Sequence, residues 1–248
     1  MGRIKLIALD LDGTLLNKHS AVSDENRKAI AQARAQGVTV IVATGREMQS
    51  AMPYWRDLEL ESPLVTANGS EVWTSSGELH KRHTLDGTII KELHDISLEE
   101  GCSFWGYTTE GMITADNWSG ITDESVWLKF GYFSKDPDLL QRVRTKAEKA
   151  ASVEITNSHP SNIEINPAGI SKASGILEVC GMYGLEMSQV MAVGDSLNDK
   201  AMLLAAGMGV AMGNAQDEVK RLAQAVTGSN LEDGVAQAIR RYVLEAAD

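Results

Sequence analysis

Two carboxylates separated by one residue stand at the end of a predicted strand, 5–9, near the start of the chain. They belong to the segment Asp10-Leu11-Asp12-Gly13-Thr14. Side chains two positions apart in an extended chain point to the same side, so both carboxylates are expected above the carboxyl edge of a sheet. One could act as a nucleophile and the other as a general acid and base. Because they would repel a phosphate, a hard cation such as Mg²⁺ is also expected. The alternative is an ordinary solvated Asp–Gly turn.

Two further segments place polar groups where a helix begins. Thr44 and Gly45 follow the predicted strand 38–43 and offer a hydroxyl and free backbone N–H groups, which can cradle a phosphate. A turn with a capping threonine would have the same sequence. Lys172 lies in the first turn of a helix predicted to begin at Ser171, where a cation opposes the helix dipole. An anionic ligand or a cluster of carboxylates would explain it, and a surface lysine is the alternative.

A fourth segment, Gly194-Asp195-Ser196-Leu197-Asn198-Asp199, follows the predicted strand 190–193. Asp195 stands at the end of its strand as Asp10 does at the end of the first, and it could complete a metal site. Asn198 and Asp199 fall in the next helical turn and could support that site. The alternative is that Asp195 only caps the helix.

These segments need a sheet that brings the ends of several strands together. In the first and last thirds of the chain, apolar strands alternate with helices, which predicts a parallel, doubly wound, Rossmann-like α/β core. The middle third has successive short strands and two helices, which predicts an α+β domain with an antiparallel sheet. We therefore expect a core formed by residues 1–82 and 169–248, with a cap domain inserted at residues 83–168.

The composition narrows the classes of partner. The formal net charge is -11, so nucleic acid and anionic membranes are not expected as partners. No targeting signal and no apolar stretch of membrane-spanning length are recognised, which predicts a cytoplasmic protein. Two cysteines, Cys102 and Cys180, lack the spacing of a metal site and are expected as buried free thiols. The sequence does not indicate an oligomeric state.

In this order, the four segments resemble the motifs of the haloacid dehalogenase superfamily of phosphatases, most closely its Cof-type subfamily with a type-two cap. The resemblance covers nearly the whole chain. Further segments similar to Cof-type signatures are Thr66-Ala67-Asn68-Gly69, Met212-Gly213-Asn214-Ala215 and 228–235. Ser70 and Ala173 stand where Ala and Gly are usual, a difference that bears on substrate positioning and leaves every catalytic group in place.

The resemblance implies roles for individual residues. Asp10 would be the nucleophile and a magnesium ligand, and Asp12 the general acid and base, with its backbone carbonyl as a second ligand. Asp195 would be the third protein ligand, helped by Ser196 or Asp199. The phosphoryl group would be held by Thr44, Gly45, Lys172, Asn198 and the backbone N–H of Leu11. Asn68 is expected to bind substrate.

The expected function is Mg²⁺-dependent hydrolysis of a small phosphorylated metabolite through an aspartyl-phosphate. The cap contains 14 Asp and Glu against seven Lys and Arg. That excess would repel a second phosphate, so a sugar phosphate or phosphorylated cofactor with one phosphate is expected. Most of the cap's eight aromatic residues are expected to pack its sheet against its helices. A phosphomutase on the same core and a non-catalytic ligand-binding protein are the alternatives.

Overall fold

The structure, a computed structural model, describes residues 3–122 and 125–245. The strands are β1 (Leu6–Leu9), β2 (Thr39–Ala43), β3 (Leu64–Thr66), β4 (Glu71–Trp73), β5 (Leu79–Arg82), β6 (Ser103–Thr108), β7 (Gly111–Thr114), β8 (Trp127–Phe133), β9 (Val153–Thr156), β10 (Asn162–Pro167), β11 (Val190–Gly194), β12 (Met208–Ala211) and β13 (Ala225–Val226). The α-helices are α1 (Asp24–Ala35), α2 (Met48–Asp57), α3 (Gly87–Glu100), α4 (Pro137–Ala150), α5 (Lys172–Tyr183), α6 (Lys200–Ala205), α7 (Asp217–Leu222) and α8 (Gly234–Ile239). Among the described residues, no helix combines the length and apolar character needed to cross a membrane.

The larger sheet has eight strands in the order β13-β12-β11-β1-β2-β3-β4-β5. The strands from β13 to β3 are parallel, and every residue of β1 and β11 is buried. Burial on both faces explains why these strands are almost continuous runs of apolar residues. The predicted α/β class is confirmed, and β1 and β11 are neighbours in the centre of the sheet.

Local signals position the helices beside this sheet. The side chain of Ser23 accepts a hydrogen bond from the backbone N–H of Asn26 and caps α1. Gly37 follows that helix with a φ of +80°, a conformation that glycine adopts without strain. The helical turn predicted at Asn198 and Asp199 is a 3₁₀ turn, Leu197–Asp199, followed by α6.

One edge of the core sheet was not predicted. β3, β4 and β5 pair antiparallel, so the sheet is mixed and not entirely parallel. β4 has only three residues and β5 is largely polar, so neither carries the apolar pattern that identifies a buried strand. The two-residue strand β13 at the opposite edge was missed for the same reason.

The smaller sheet has five antiparallel strands in the order β7-β6-β8-β10-β9. Alternate residues face opposite sides, as the pleat requires. One face packs on α3 and α4 through an apolar cluster that includes Phe104, Phe130 and Ile165. The opposite face carries Trp105 and Lys129, which line a cleft shared with the core. The predicted domain limits, 1–82 with 169–248 and 83–168, stay a prediction.

Candidate active site

Three carboxylates meet at the carboxyl ends of β1 and β11. Asp10 follows β1, Asp195 follows β11, and Asp199 lies one turn further along the chain. The register of the two strands pairs Leu9 with Val193, so Asp10 and Asp195 leave adjacent strands at the same level. One oxygen from each of the three carboxylates lies within 4.8 Å of the others. Such a set of oxygen ligands suits a hard divalent cation.

A buried ammonium group completes this cluster. Lys172 is the first residue of α5, and its Nζ lies 2.6 Å from Oδ1 of Asp10 and 2.6 Å from Oδ1 of Asp199. Burial lowers the pKa of Lys172, but Asp10 and Asp199 raise it by more, so the amine stays charged. These two carboxylates therefore explain a cation in the first turn of a helix, where the dipole alone disfavours it.

The single ammonium does not balance the three carboxylates. Burial raises the pKa of Asp10 well above its ordinary value; Lys172 opposes this shift, and Asp199 and Asp195 add to it. Burial, followed by the charge of Asp199, raises the pKa of Asp195 to about 7. A bound cation would relieve this repulsion, so the residues present fit Mg²⁺.

Asp199 fixes the geometry of the cluster. Its Oδ1 accepts from Lys172, and its Oδ2 accepts from the backbone N–H groups of Asp195 at 2.8 Å and Ser196 at 3.1 Å. A Cβ on Gly194 would lie 2.4 Å from the Asp199 side chain, so this close approach requires glycine. Ser196 is also buried, with its Oγ 3.0 Å from Oδ2 of Asp195.

Asp12 lies outside the three-carboxylate cluster. Its two oxygens accept hydrogen bonds from Nε of Arg46 at 2.7 Å and Nη2 of Arg46 at 2.6 Å. Asp10 is buried, whereas the Asp12 side chain is 58% exposed, although both line the cleft. The strand ends at Leu9 and a turn begins at Leu11, so the alternation of an extended chain does not apply to the pair.

The predicted phosphate-binding residues differ in their placement relative to the cleft. Thr44 is buried, and its Oγ1 accepts from the backbone N–H of Arg46 at 3.1 Å. Gly45 and Asn198 line the cleft beside Asp10. Leu11, whose backbone N–H was expected to bind phosphate, is fully buried in the turn after Asp10.

Asn68, expected to bind substrate, connects the core to the cap. Its Nδ2 lies 2.5 Å from Oε2 of Glu164 and 3.2 Å from Oδ1 of Asn166, both on β10. Its Oδ1 accepts from Asn198 at 3.3 Å. Ser70 adds a second connection, since its hydroxyl donates to the carbonyl of Leu128 at 2.9 Å. A role of Asn68 in substrate binding stays a prediction.

The cap contributes a buried ion pair that the sequence analysis missed. Nζ of Lys129 donates to the carbonyl of Gly45 at 2.8 Å and to Oε2 of Glu164 at 3.1 Å. Burial lowers the pKa of Lys129, although the nearby Glu164 opposes this shift. The pKa of Glu164 is also lowered, because Lys129, Ser158 and Asn68 outweigh the effect of burial on that carboxylate. The sequence signal that could have revealed this ion pair is the single charged residue within each of two largely buried strands, β8 and β10.

A cleft of about 540 Å³ separates the cap from the core. Its lining includes Asp10, Asp12, Gly45, Arg46, Ser196 and Asn198 from the core and Trp105, Tyr107, Met112, Lys129, Phe133, Ser158, Asn162 and Glu164 from the cap. Among the described residues, the charged cap residues in this lining are Lys129 and Glu164, one of each sign. This lining therefore gives no support to the expectation that an acidic cap repels a second phosphate.

Comparison with known proteins identifies relatives over almost the whole chain. The family model described as haloacid dehalogenase-like hydrolase matches residues 7–130 and 113–239. The 5-amino-6-(5-phospho-D-ribitylamino)uracil phosphatase YcsE of Bacillus subtilis is 47% identical over 241 residues, which is 97% of this chain and 96% of that protein. YwtE, a phosphatase of the same description from the same organism, is 32% identical over 94% of this chain and 96% of its own length.

Solved structures show the same fold. A haloacid dehalogenase-like hydrolase from B. subtilis superposes with a TM-score of 0.90 and 29% sequence identity, covering 97% of this chain and all of that one. The likeness includes both sheets, since it extends over nearly the entire length of each chain.

Proposed function

Because this chain belongs to the haloacid dehalogenase-like hydrolases, we propose that it uses Mg²⁺ and a phosphoaspartate on Asp10 to dephosphorylate 5-amino-6-(5-phospho-D-ribitylamino)uracil. The chain is a phosphoric monoester hydrolase, and phosphoaspartate chemistry is typical of its family. The observation that carries the assignment of Asp10 is its burial beside Lys172, at 2.6 Å, within the three-carboxylate cluster. The substrate is transferred from the B. subtilis relative with 47% identity.

Mg²⁺ would be held by Asp10 and Asp195, with the backbone carbonyl of Asp12, while Asp199 fixes the turn that presents Asp195. When bound, the ion supplies positive charge that offsets the negative charge of the phosphoryl oxygens. Lys172 adds a second positive charge from a fixed position and orients the carboxylate of Asp10.

The chain's own residues account for both halves of the reaction. A carboxylate oxygen of Asp10 attacks phosphorus, and the bond from phosphorus to the ribityl oxygen breaks. Asp12 gives a proton to that oxygen and then takes one from the water that hydrolyses the aspartyl-phosphate. Thr44, Gly45 and the backbone N–H of Leu11 hold the phosphoryl oxygens during transfer.

Release of phosphate from 5-amino-6-(5-phospho-D-ribitylamino)uracil tests this proposal. We expect turnover with Mg²⁺, loss of activity in EDTA, and recovery when Mg²⁺ is returned. Asp10→Asn is the matched control for phosphatase contaminants. Full activity in EDTA would contradict the metal assignment, and a failure to release phosphate at any Mg²⁺ concentration would contradict the proposed substrate.

A further inference from the structure

The inner face of the cap's sheet presents two aromatic rings to the cleft. Trp105 and Tyr107 lie two residues apart on β6, so they share one face, and their ring centroids are 5.5 Å apart with an interplanar angle of 64°. Both side chains are partly exposed and line the cleft that also contains Asp10 and Asp12. The cap's apolar cluster packs on the other face of this sheet, and neither ring belongs to that cluster.

A glycine on the neighbouring strand holds the indole in place. Gly131 lies opposite Trp105 in the register of β6 and β8, and a Cβ on Gly131 would lie 2.4 Å from the Trp105 ring. The indole therefore lies over the bare backbone of β8 in a fixed orientation. A rigid aromatic surface loses little conformational entropy when a ligand binds.

Apolar side chains continue this surface towards the mouth of the cleft. Met112 is 49% exposed and Phe133 is 46% exposed, and both belong to the cleft lining. Large exposed apolar side chains clustered in a concave site indicate a surface that a ligand covers. A phosphate and a polyol chain would leave this surface exposed to water.

Lys129 supplies a polar group at the base of the aromatic pair. Its Nζ lies 5.0 Å from the ring centroids of both Trp105 and Tyr107. Gly45 and Glu164 accept two of the three N–H donors of this ammonium. The described residues provide no third hydrogen-bond acceptor for this ammonium, so a ligand that reaches it in the cleft can supply one, such as a ring carbonyl. Because Glu164 balances its charge, the position suits a neutral acceptor better than a second phosphate.

We propose that this inner face of the cap is the specificity site for a planar, neutral heterocycle, with Trp105 and Tyr107 contacting the ring and Lys129 donating to a ring carbonyl. The inference rests on the proposed function, because it places the ring of the substrate at the cap and its phosphate at Asp10. A cleft of about 540 Å³ is in the range that encloses a small-molecule ligand. The ribityl chain would span the distance between the two ends.

Two probes that share the polyol phosphate separate ring recognition from phosphate chemistry. They are 5-amino-6-(5-phospho-D-ribitylamino)uracil and D-ribitol 5-phosphate, which lacks the ring. We expect the native enzyme to favour the ring-bearing probe in kcat/KM, and Trp105→Leu and Tyr107→Leu each to reduce that preference about tenfold. Trp118→Leu is the control, because Trp118 stacks on His94 on the helix side of the cap, and it should leave the preference unchanged.

The Lys129 donor is tested by the double variant Lys129→Met/Glu164→Gln, which removes both charges of this buried pair together. We expect this variant also to lose preference for the ring-bearing probe. Equal kcat/KM values for the two probes in the native enzyme would overturn the specificity site but would not contradict the phosphatase activity. So would a change in preference no larger than that of the Trp118 control in all three variants.

Binding of the dephosphorylated ring compound, 5-amino-6-(D-ribitylamino)uracil, gives a second readout by isothermal titration calorimetry. Affinity that falls in Trp105→Leu supports the specificity site even if the phosphorylated probe is not hydrolysed, and that pair of results would overturn the proposed function alone. Absence of binding by both the phosphorylated and dephosphorylated ring compounds would overturn the specificity site.

Discussion

Arg46 binds both carboxylate oxygens of Asp12, with 2.7 Å between Nε and Oδ2 and 2.6 Å between Nη2 and Oδ1. With both oxygens occupied, Asp12 must rotate or release one of these bonds before it can reach a leaving-group oxygen. Hydrogen bonding to Asp12 raises the pKa of Arg46 further above its ordinary value, so the guanidinium stays charged. The pair is therefore a resting arrangement that holds the proposed acid and base at the edge of the cleft.

Breaking this pair should cost much less than removing Asp12. The Asp12 side chain is 58% exposed, and exposed ion pairs contribute little. We expect Arg46→Gln to lower kcat by less than about tenfold and Asp12→Asn by about a hundredfold or more. Steady-state kinetics of the single variants and the double variant would measure this. A larger loss for Arg46→Gln than for Asp12→Asn would show that Arg46 itself carries the proton-transfer step or binds the phosphate.

Asp10→Asn should abolish turnover without unfolding the protein. The amide is nearly isosteric but cannot form the phosphoryl-enzyme, so we expect a loss of about three decades or more in kcat. In metal-free protein the substitution should raise the melting temperature, since one of the crowded carboxylates is removed. Asp24→Asn, an exposed residue in the first turn of α1, is the control. Substantial turnover by Asp10→Asn would show that another residue is the nucleophile.

Lys172 should affect both stability and catalysis, and the two effects should be separable. Lys172→Met leaves Asp10 and Asp199 buried without their counter-charge, so we expect a loss of about 3 kcal/mol or more in the free energy of unfolding. Adding Asp199→Asn should restore part of that stability but none of the activity. Denaturant unfolding and kinetics on the same samples test this. Recovery of activity in the double variant would mean that Lys172 only stabilises the fold.

Stability of the metal-free protein should fall as the pH rises. Asp10 and Asp195 have pKa values raised above those of the unfolded chain. The folded state therefore keeps protons that the unfolded state has released, and the stability linked to them is lost as the pH passes through the folded pKa. We expect lower melting temperatures in EDTA at about pH 8 than at about pH 5.5, and a larger stabilisation by Mg²⁺ at the higher value. A Mg²⁺ shift that does not change with pH would contradict this linkage.

Ser70 should act on the junction between core and cap and not on the chemistry. Its buried hydroxyl donates to the carbonyl of Leu128 on β8 at 2.9 Å. Ser70→Ala should lower the free energy of unfolding by about 1 kcal/mol, with kcat within about twofold of the native value. Thermal unfolding and steady-state kinetics would measure both. A large fall in kcat with unchanged stability would instead place this hydroxyl in substrate positioning.

The sequence alone determined the core and the position of the site at its edge. Apolar runs such as 190–193 identify parallel strands, because burial on both faces demands a local pattern that can be read directly. Asp10 and Asp195 each follow such a run, so their meeting at one edge was predictable. Lys172 was recognisable because a cation in the first turn of a helix requires compensation.

Only the tertiary structure decided which groups meet across long separations. Lys129 reaches the carbonyl of Gly45, 84 positions away in the chain, and Asn68 reaches Glu164 across 96 positions. Strand order and the docking of the cap set these contacts, and no local pattern encodes them. The pairing of Asp12 with Arg46 likewise depended on where β1 ends. Because a turn starts at Leu11, the side chains of Asp10 and Asp12 do not follow the alternation of an extended chain, from which their common direction was predicted.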